Sequence, residues 1–208
     1  MKREKQKLYK ELNKKMYDSI DKYSKTYKLK KKTLFIWTSK KDFFFSCQFH
    51  LGVTEASEEL ICSCKEICKP LWTDELLWEI LKSDECFSAP MSLRGNGAFT
   101  FYGLPYNSTS VKINNWETEE IDEAICGMVS NFDKHINSFG SSLFYDNTDK
   151  IKYHDTLYEL LYLIHSREYE KAYTYAGDMT HNYFTVGGRT LPEYAMEYCK
   201  THMQDLSE

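Results

Sequence analysis

The chain of 208 residues has only four prolines and nine glycines, too few for a collagen-like or low-complexity polymer. No apolar run approaches the roughly 18 residues needed to cross a bilayer. The charged start, Met1-Lys2-Arg3-Glu4-Lys5-Gln6-Lys7, is followed by nothing like the apolar core of a secretory signal. These absences predict a cytoplasmic protein with no membrane partner. Also missing are the C-x2-C spacing of structural zinc sites, H-E-x-x-H, G-x-S-x-G and the glycine-rich phosphate loops. No metal or other cofactor is expected. A catalytic group assembled only in space leaves no such mark, so these gaps do not exclude an enzyme.

What is present is a globular composition, with 42% hydrophobic, 28% charged and 15% aromatic residues. Disordered chains lack the large apolar side chains that offset conformational entropy, so this one is expected to fold, as a single domain. The seven cysteines are odd in number and strewn along the chain, which predicts free thiols in a reducing compartment.

Charge is unevenly placed. Residues 1–32 carry 13 Lys or Arg against Glu4, Glu11, Asp18 and Asp21, a net of +9; the whole chain is −4, so residues 33–208 are near −13. An acidic body of that size argues against a nucleic-acid partner, although the basic arm alone suits a phosphate backbone. The plainer explanation of the arm is a solvated helix face.

Apolar spacing predicts a helix over 8–27, through Tyr9, Leu12, Met16, Ile20, Tyr23 and Tyr27. Lys28 to Lys32 should interrupt it. Strands are expected over 33–38 and 42–51, joined as a hairpin through Ser39-Lys40-Lys41. In the second strand Phe45, Cys47 and Phe49 should face the core, and Phe44, Ser46 and Gln48 the other side. A third strand fits 59–69, ended by Pro70, then a helix over 74–82 capped at Thr73. Two or three short strands fit 90–113. A helix over 117–139 buries Ile121, Ala124, Ile125, Met128, Val129, Phe132 and Ile136, with Gly140 as its cap and a loop over 141–149. The last third is mostly helical; a short strand fits 183–186, and Thr190-Leu191-Pro192-Glu193 has capping-box spacing. The fold class expected is α+β: an antiparallel sheet of about five strands flanked by helices, with residues 1–140 as the core and 149–208 as a helical extension.

Cys62, Cys64 and Cys68 share one face of the third strand, spread along it at about 3.3 Å per residue, so no single ion reaches both Cys62 and Cys68 without a bend and buried thiols explain them better than zinc. Gly187-Gly188-Arg189 and Arg94-Gly95-Asn96-Gly97 each offer backbone amides to an anion, and each is equally a simple turn. Tyr158, Tyr162, His165 and Tyr169 recur at helical spacing, as the edge of a core does or as a binding stripe does.

Residues 33–51, followed by Pro70-Leu71-Trp72-Thr73-Asp74-Glu75-Leu76-Leu77-Trp78, resemble small bacterial immunity proteins encoded beside polymorphic toxins. The resemblance implies a non-enzymatic inhibitor that occupies a toxin's active site or an adjacent face, with another protein, a basic toxin domain, as partner. The residues themselves supply a surface for it. Glu117, Glu119, Glu120, Asp122 and Glu123 put five carboxylates within seven positions, more than a helix dipole needs, and Tyr158 and Tyr162 are the expected apolar anchors. The alternatives are an enzyme acting on a phosphorylated or nucleotide ligand, and a regulatory protein with a nucleic-acid-binding arm.

Overall fold

The computed structural model describes residues 3–30, 34–54, 59–140, 144–145 and 156–205. The fold is α+β. The chain forms two compact units, residues 1–68 with 103–141 and residues 69–102 with 142–208. Segment 69–102 thus clusters with the C-terminal helices.

The first unit is a five-stranded antiparallel meander with two helices. Its strands are β1 (Lys28–Lys30), β2 (Phe35–Lys40), β3 (Phe43–Val53), β4 (Leu60–Pro70) and β5 (Leu104–Ile113), neighbours in that order. Helix α1 (Arg3–Asp21) buries Leu12, Met16 and Ile20 as the periodicity requires, but stops before Tyr27. Residues 28–30, expected to be a break, pair instead with β2; of that break, positions 31 and 32 lie outside the described residues. The β2–β3 hairpin turns through Lys41 and Asp42, at φ 49° and 62°. Two central residues with positive φ give the turn whose twist matches the strands it joins.

Phe45, Cys47 and Phe49 are buried as expected. The opposite face is not the polar one anticipated. Phe44 is fully buried beneath a stacked Trp37, and Ser46 is buried too. The run Phe43-Phe44-Phe45 marks a strand covered on both sides, since burial of both faces replaces alternation by continuity. Cys62, Cys64 and Cys68 share the buried face of β4 with Glu66.

The two or three short strands expected over 90–113 are one long strand, β5, preceded by helical turns. A register shift opposite Glu66 and Ile67 leaves Tyr106 unpaired in the ladder. Its ring packs on His135 and Phe139, which is how a bulge re-aims one side chain without ending the strand.

Helix α2 (Leu71–Ile80) begins directly after Pro70, three residues before the expected start. Thr73 therefore sits in the first turn and donates its hydroxyl to the Pro70 carbonyl rather than capping. Short helices α3 (Asp84–Phe87) and α4 (Leu93–Asn96) follow. Helix α5 (Thr118–Ser138) returns to the first unit and buries all seven predicted apolar residues. It ends because Phe139 turns extended and sets its ring edge-on to Phe43 and Phe45, both at 4.9 Å, so Gly140 is not the stop signal. Most of the loop expected over 141–149 lies outside the described residues.

The second unit also holds α6 (Thr156–His165), α7 (Tyr169–Asp178) and α8 (Leu191–Asp205), with a two-stranded ribbon of β6 (Thr185–Val186) and β7 (Arg189–Thr190). Half of the capping box is formed: Glu193 accepts from the Thr190 backbone N–H at 2.6 Å, while the Thr190 hydroxyl donates to the same carboxylate at 2.9 Å. Among the described residues no helix is long and apolar enough to cross a membrane.

Candidate partner-binding surface

The acidic start of α5 divides into three kinds of carboxylate. Glu120 sits in the first turn and reaches back to the Asn114 backbone N–H at 2.6 Å, so it closes the approach to the helix. Asp122 is turned toward α1, where Lys15 (2.5 Å), Lys22 (2.8 Å) and the Ser19 hydroxyl surround it. Hydrogen bonds from Lys15, Lys22 and Ser19 hold its carboxyl far below the ordinary range. The third kind is Glu117, Glu119 and Glu123, which are exposed and form no salt bridge among the described residues. Of the five predicted residues, these three carry the surface charge. The basic arm is not a free arm either: part of its charge is spent inside the unit, on Asp122.

Two open grooves flank this stretch. One, of about 520 Å³, lies between α1 and α5 and is lined by Lys22, Tyr23, Asp122, Glu123 and Cys126. The other, of about 510 Å³, lies between α5 and β5 and is lined by Thr109, Val111, Glu120, Glu123, Gly127 and Asn131, among others. Thr109 and Val111 are on the helix-facing side of β5, since they pair with the buried Cys64 and Cys62. Val111 is nonetheless 37% exposed. Gly127 lines this groove, and a Cβ built there meets nothing within 4 Å, so the middle of α5 stands clear of the strand.

The tyrosine stripe is placed differently from the expectation. Tyr158 is 0% exposed, packed against Phe101, Phe144 and Trp72, and offers no area to a partner. Burial pushes its phenol up beyond the ordinary range. Helical spacing alone does not distinguish a core edge from a surface stripe; here Tyr158 is core, Tyr162 and Tyr169 are half-buried, and His165 is exposed. Tyr162 is half-buried and stacks on Tyr158. Both belong to the second unit, whereas all five carboxylates belong to the first.

The two anion cradles are also committed elsewhere. Gly187 and Gly188, at φ 56° and 83°, make the β6–β7 turn, and Arg189 is held by Glu197 at 2.6 Å over the Tyr194 ring. Arg94 is buried in a charge cluster that sequence reasoning missed. There Asp74 accepts from Lys69 at 2.8 Å, from Arg94 at 3.4 Å and from the Phe101 backbone N–H at 2.9 Å, while Lys69 also donates to the Phe101 carbonyl. Burial lowers the Lys69 ammonium to about 8 despite its partner. The cluster ties the segment before β5 to α2. A second missed pair joins His135 of α5 to buried Glu66 of β4 at 2.6 Å, with Asn107 donating to the same carboxylate. The cavity beside it is about 10 Å³, no roomier than one water, so the pair anchors a helix rather than receiving a substrate. Glu66 shares the parity of Cys64 and Cys68, and that parity was the available signal. Comparisons of the chain with protein-family models, with curated proteins and with solved structures give no match.

Proposed function

We propose that this chain is a non-enzymatic protein-binding protein that holds a basic partner against the first unit, in the manner of an immunity protein on its toxin. The observation that carries the proposal is the groove between β5 and α5. It is open, it is walled by a sheet edge, and Glu117, Glu119 and Glu123 of the adjoining helix start form no ion pair among the described residues. Complementary charge of this kind raises association rates and excludes wrong partners more than it raises affinity. The resemblance of residues 33–51 and 70–78 to immunity proteins points the same way and supplies the class of partner, a toxin domain in the cytoplasm.

The test is capture from host extract on the immobilised chain, in parallel with a Glu117→Lys, Glu119→Lys, Glu123→Lys variant. Glu120 and Asp122 are left intact because both are engaged in the fold. A basic protein retained by the parent and lost by the triple variant, and whose toxicity the parent suppresses on co-expression, is the expected result. Retention of small molecules alone, or equal retention by both proteins, would overturn the proposal.

A further inference from the structure

We infer that the outer edge of β5 receives an extended, basic segment of the partner as an added strand, with its Lys or Arg side chains entering the groove beside α5. This rests on the protein-binding function proposed above and specifies its geometry.

Strand β5 is the last in the sheet, bonded to β4 on one side, and among the described residues no backbone bond reaches its other side. Open edges are normally blunted by charge, proline or bulges. Here those devices sit at the ends: Pro105 and the bulge at Tyr106 at one, Lys112 with its ion pair to Glu59 at the other. Between them Asn107-Ser108-Thr109-Ser110-Val111 is uncharged and ladder-competent.

Gly127 is the second observation. Glycine within a helix is destabilising relative to alanine, and a Cβ here would meet no obstacle. A longer side chain at this position would enter the groove that Gly127 lines. An added strand about 4.8 Å beyond β5 would direct every second side chain to the α5 side, about 6.6 Å apart. The row Glu120, Glu123, Gly127, Asn131 climbs α5 at about 5.4 Å per turn, nearly in step with it. The groove is lined by Glu120 and Glu123 at the acidic end of that row and by Lys112, which is paired with Glu59. The two carboxylates select a segment with Lys or Arg at alternate positions, and this charge complementarity sets the occupant as a basic strand.

The probe is a capped peptide of about nine residues alternating lysine and threonine, added to the intact chain while amide hydrogen exchange is followed. Exchange at 107–111 should slow about tenfold or more. The same peptide N-methylated at every residue keeps its charge but loses its donors, and should give no protection. Gly127→Leu, which fills the groove, should weaken peptide binding at least about tenfold; Val111→Arg, at an exposed position, should do the same should Gly127→Leu fail to fold. Equal binding of the N-methylated peptide, protection outside β5, or concentration-dependent protection of β5 without peptide, meaning a second copy of the chain on the edge, would each overturn the inference. A captured partner that responds to the glutamate reversal but not to Gly127→Leu or Val111→Arg would leave the protein-binding function standing and remove strand addition; one indifferent to the reversal removes the function itself.

Discussion

Lys15 of α1 and Asp122 of α5 are joined by a 2.5 Å ion pair, so part of the charge of the basic N-terminal segment is offset by one carboxylate of the acidic helix start inside one unit. Lys22 and Ser19 complete the clasp. Because these partners depress the folded carboxyl below its unfolded value of about 3.9, the clasp contributes stability that is present above that value and lost as pH falls toward the folded one. Asp122→Asn should therefore be less stable than the parent at pH 6, and the gap should close as the pH is lowered from 5 to 2. Denaturant unfolding at several pH values measures it; a constant gap would show that Asp122 acts by packing alone.

Phe45 is 4% exposed and lies against Phe139, the residue that ends α5. Phe45→Ala should cost about 3–5 kcal/mol, the usual loss for a buried phenylalanine, and should loosen the C-terminal turn of α5 as well. Equilibrium unfolding with hydrogen exchange over 132–138 checks both effects. A variant as stable as its parent would contradict the burial of this face.

Asp74 has three donors and a side chain with no exposure. Removing one member of a buried ion cluster strands the others, so Asp74→Ala should cost about 3–5 kcal/mol. Proteolysis should then open first within 90–102, the segment that the cluster ties down through Phe101. A loss below about 1 kcal/mol would mean that solvent reaches Lys69 and Arg94.

Some of this architecture is written plainly in the residues, and some is not. The spacing of Ile121, Ile125, Met128, Phe132 and Ile136 specifies α5 because one apolar stripe at helical period has a single efficient burial. Strand β5 escapes that logic. Its helix-facing Asn107 and Thr109 are polar, since one ties down Glu66 and the other lines a groove, so no alternation survives to be read. Asp74 has the composition and position of a capping residue, and only the distant Lys69 and Arg94 make it a core charge. The acidic cluster is visible in the sequence, but its division is not: Asp122 is taken up by Lys15 and Lys22, about a hundred residues away along the chain, and Glu120 by the Asn114 backbone N–H. Gly127 is an unremarkable letter in the sequence, and its meaning comes from the strand facing it.

The central claim, a charge-steered partner on the β5–α5 face, is tested most directly by the association rate of the captured partner measured across ionic strength. Exposed charges are screened beyond about 8 Å at physiological salt, and steered association falls steeply as salt rises. The parent should associate about tenfold or more slower between 50 and 500 mM salt, with dissociation little changed, and the Glu117→Lys, Glu119→Lys, Glu123→Lys variant should begin at the slow rate and show little salt dependence. Parent and variant associating alike at every salt concentration would contradict the account.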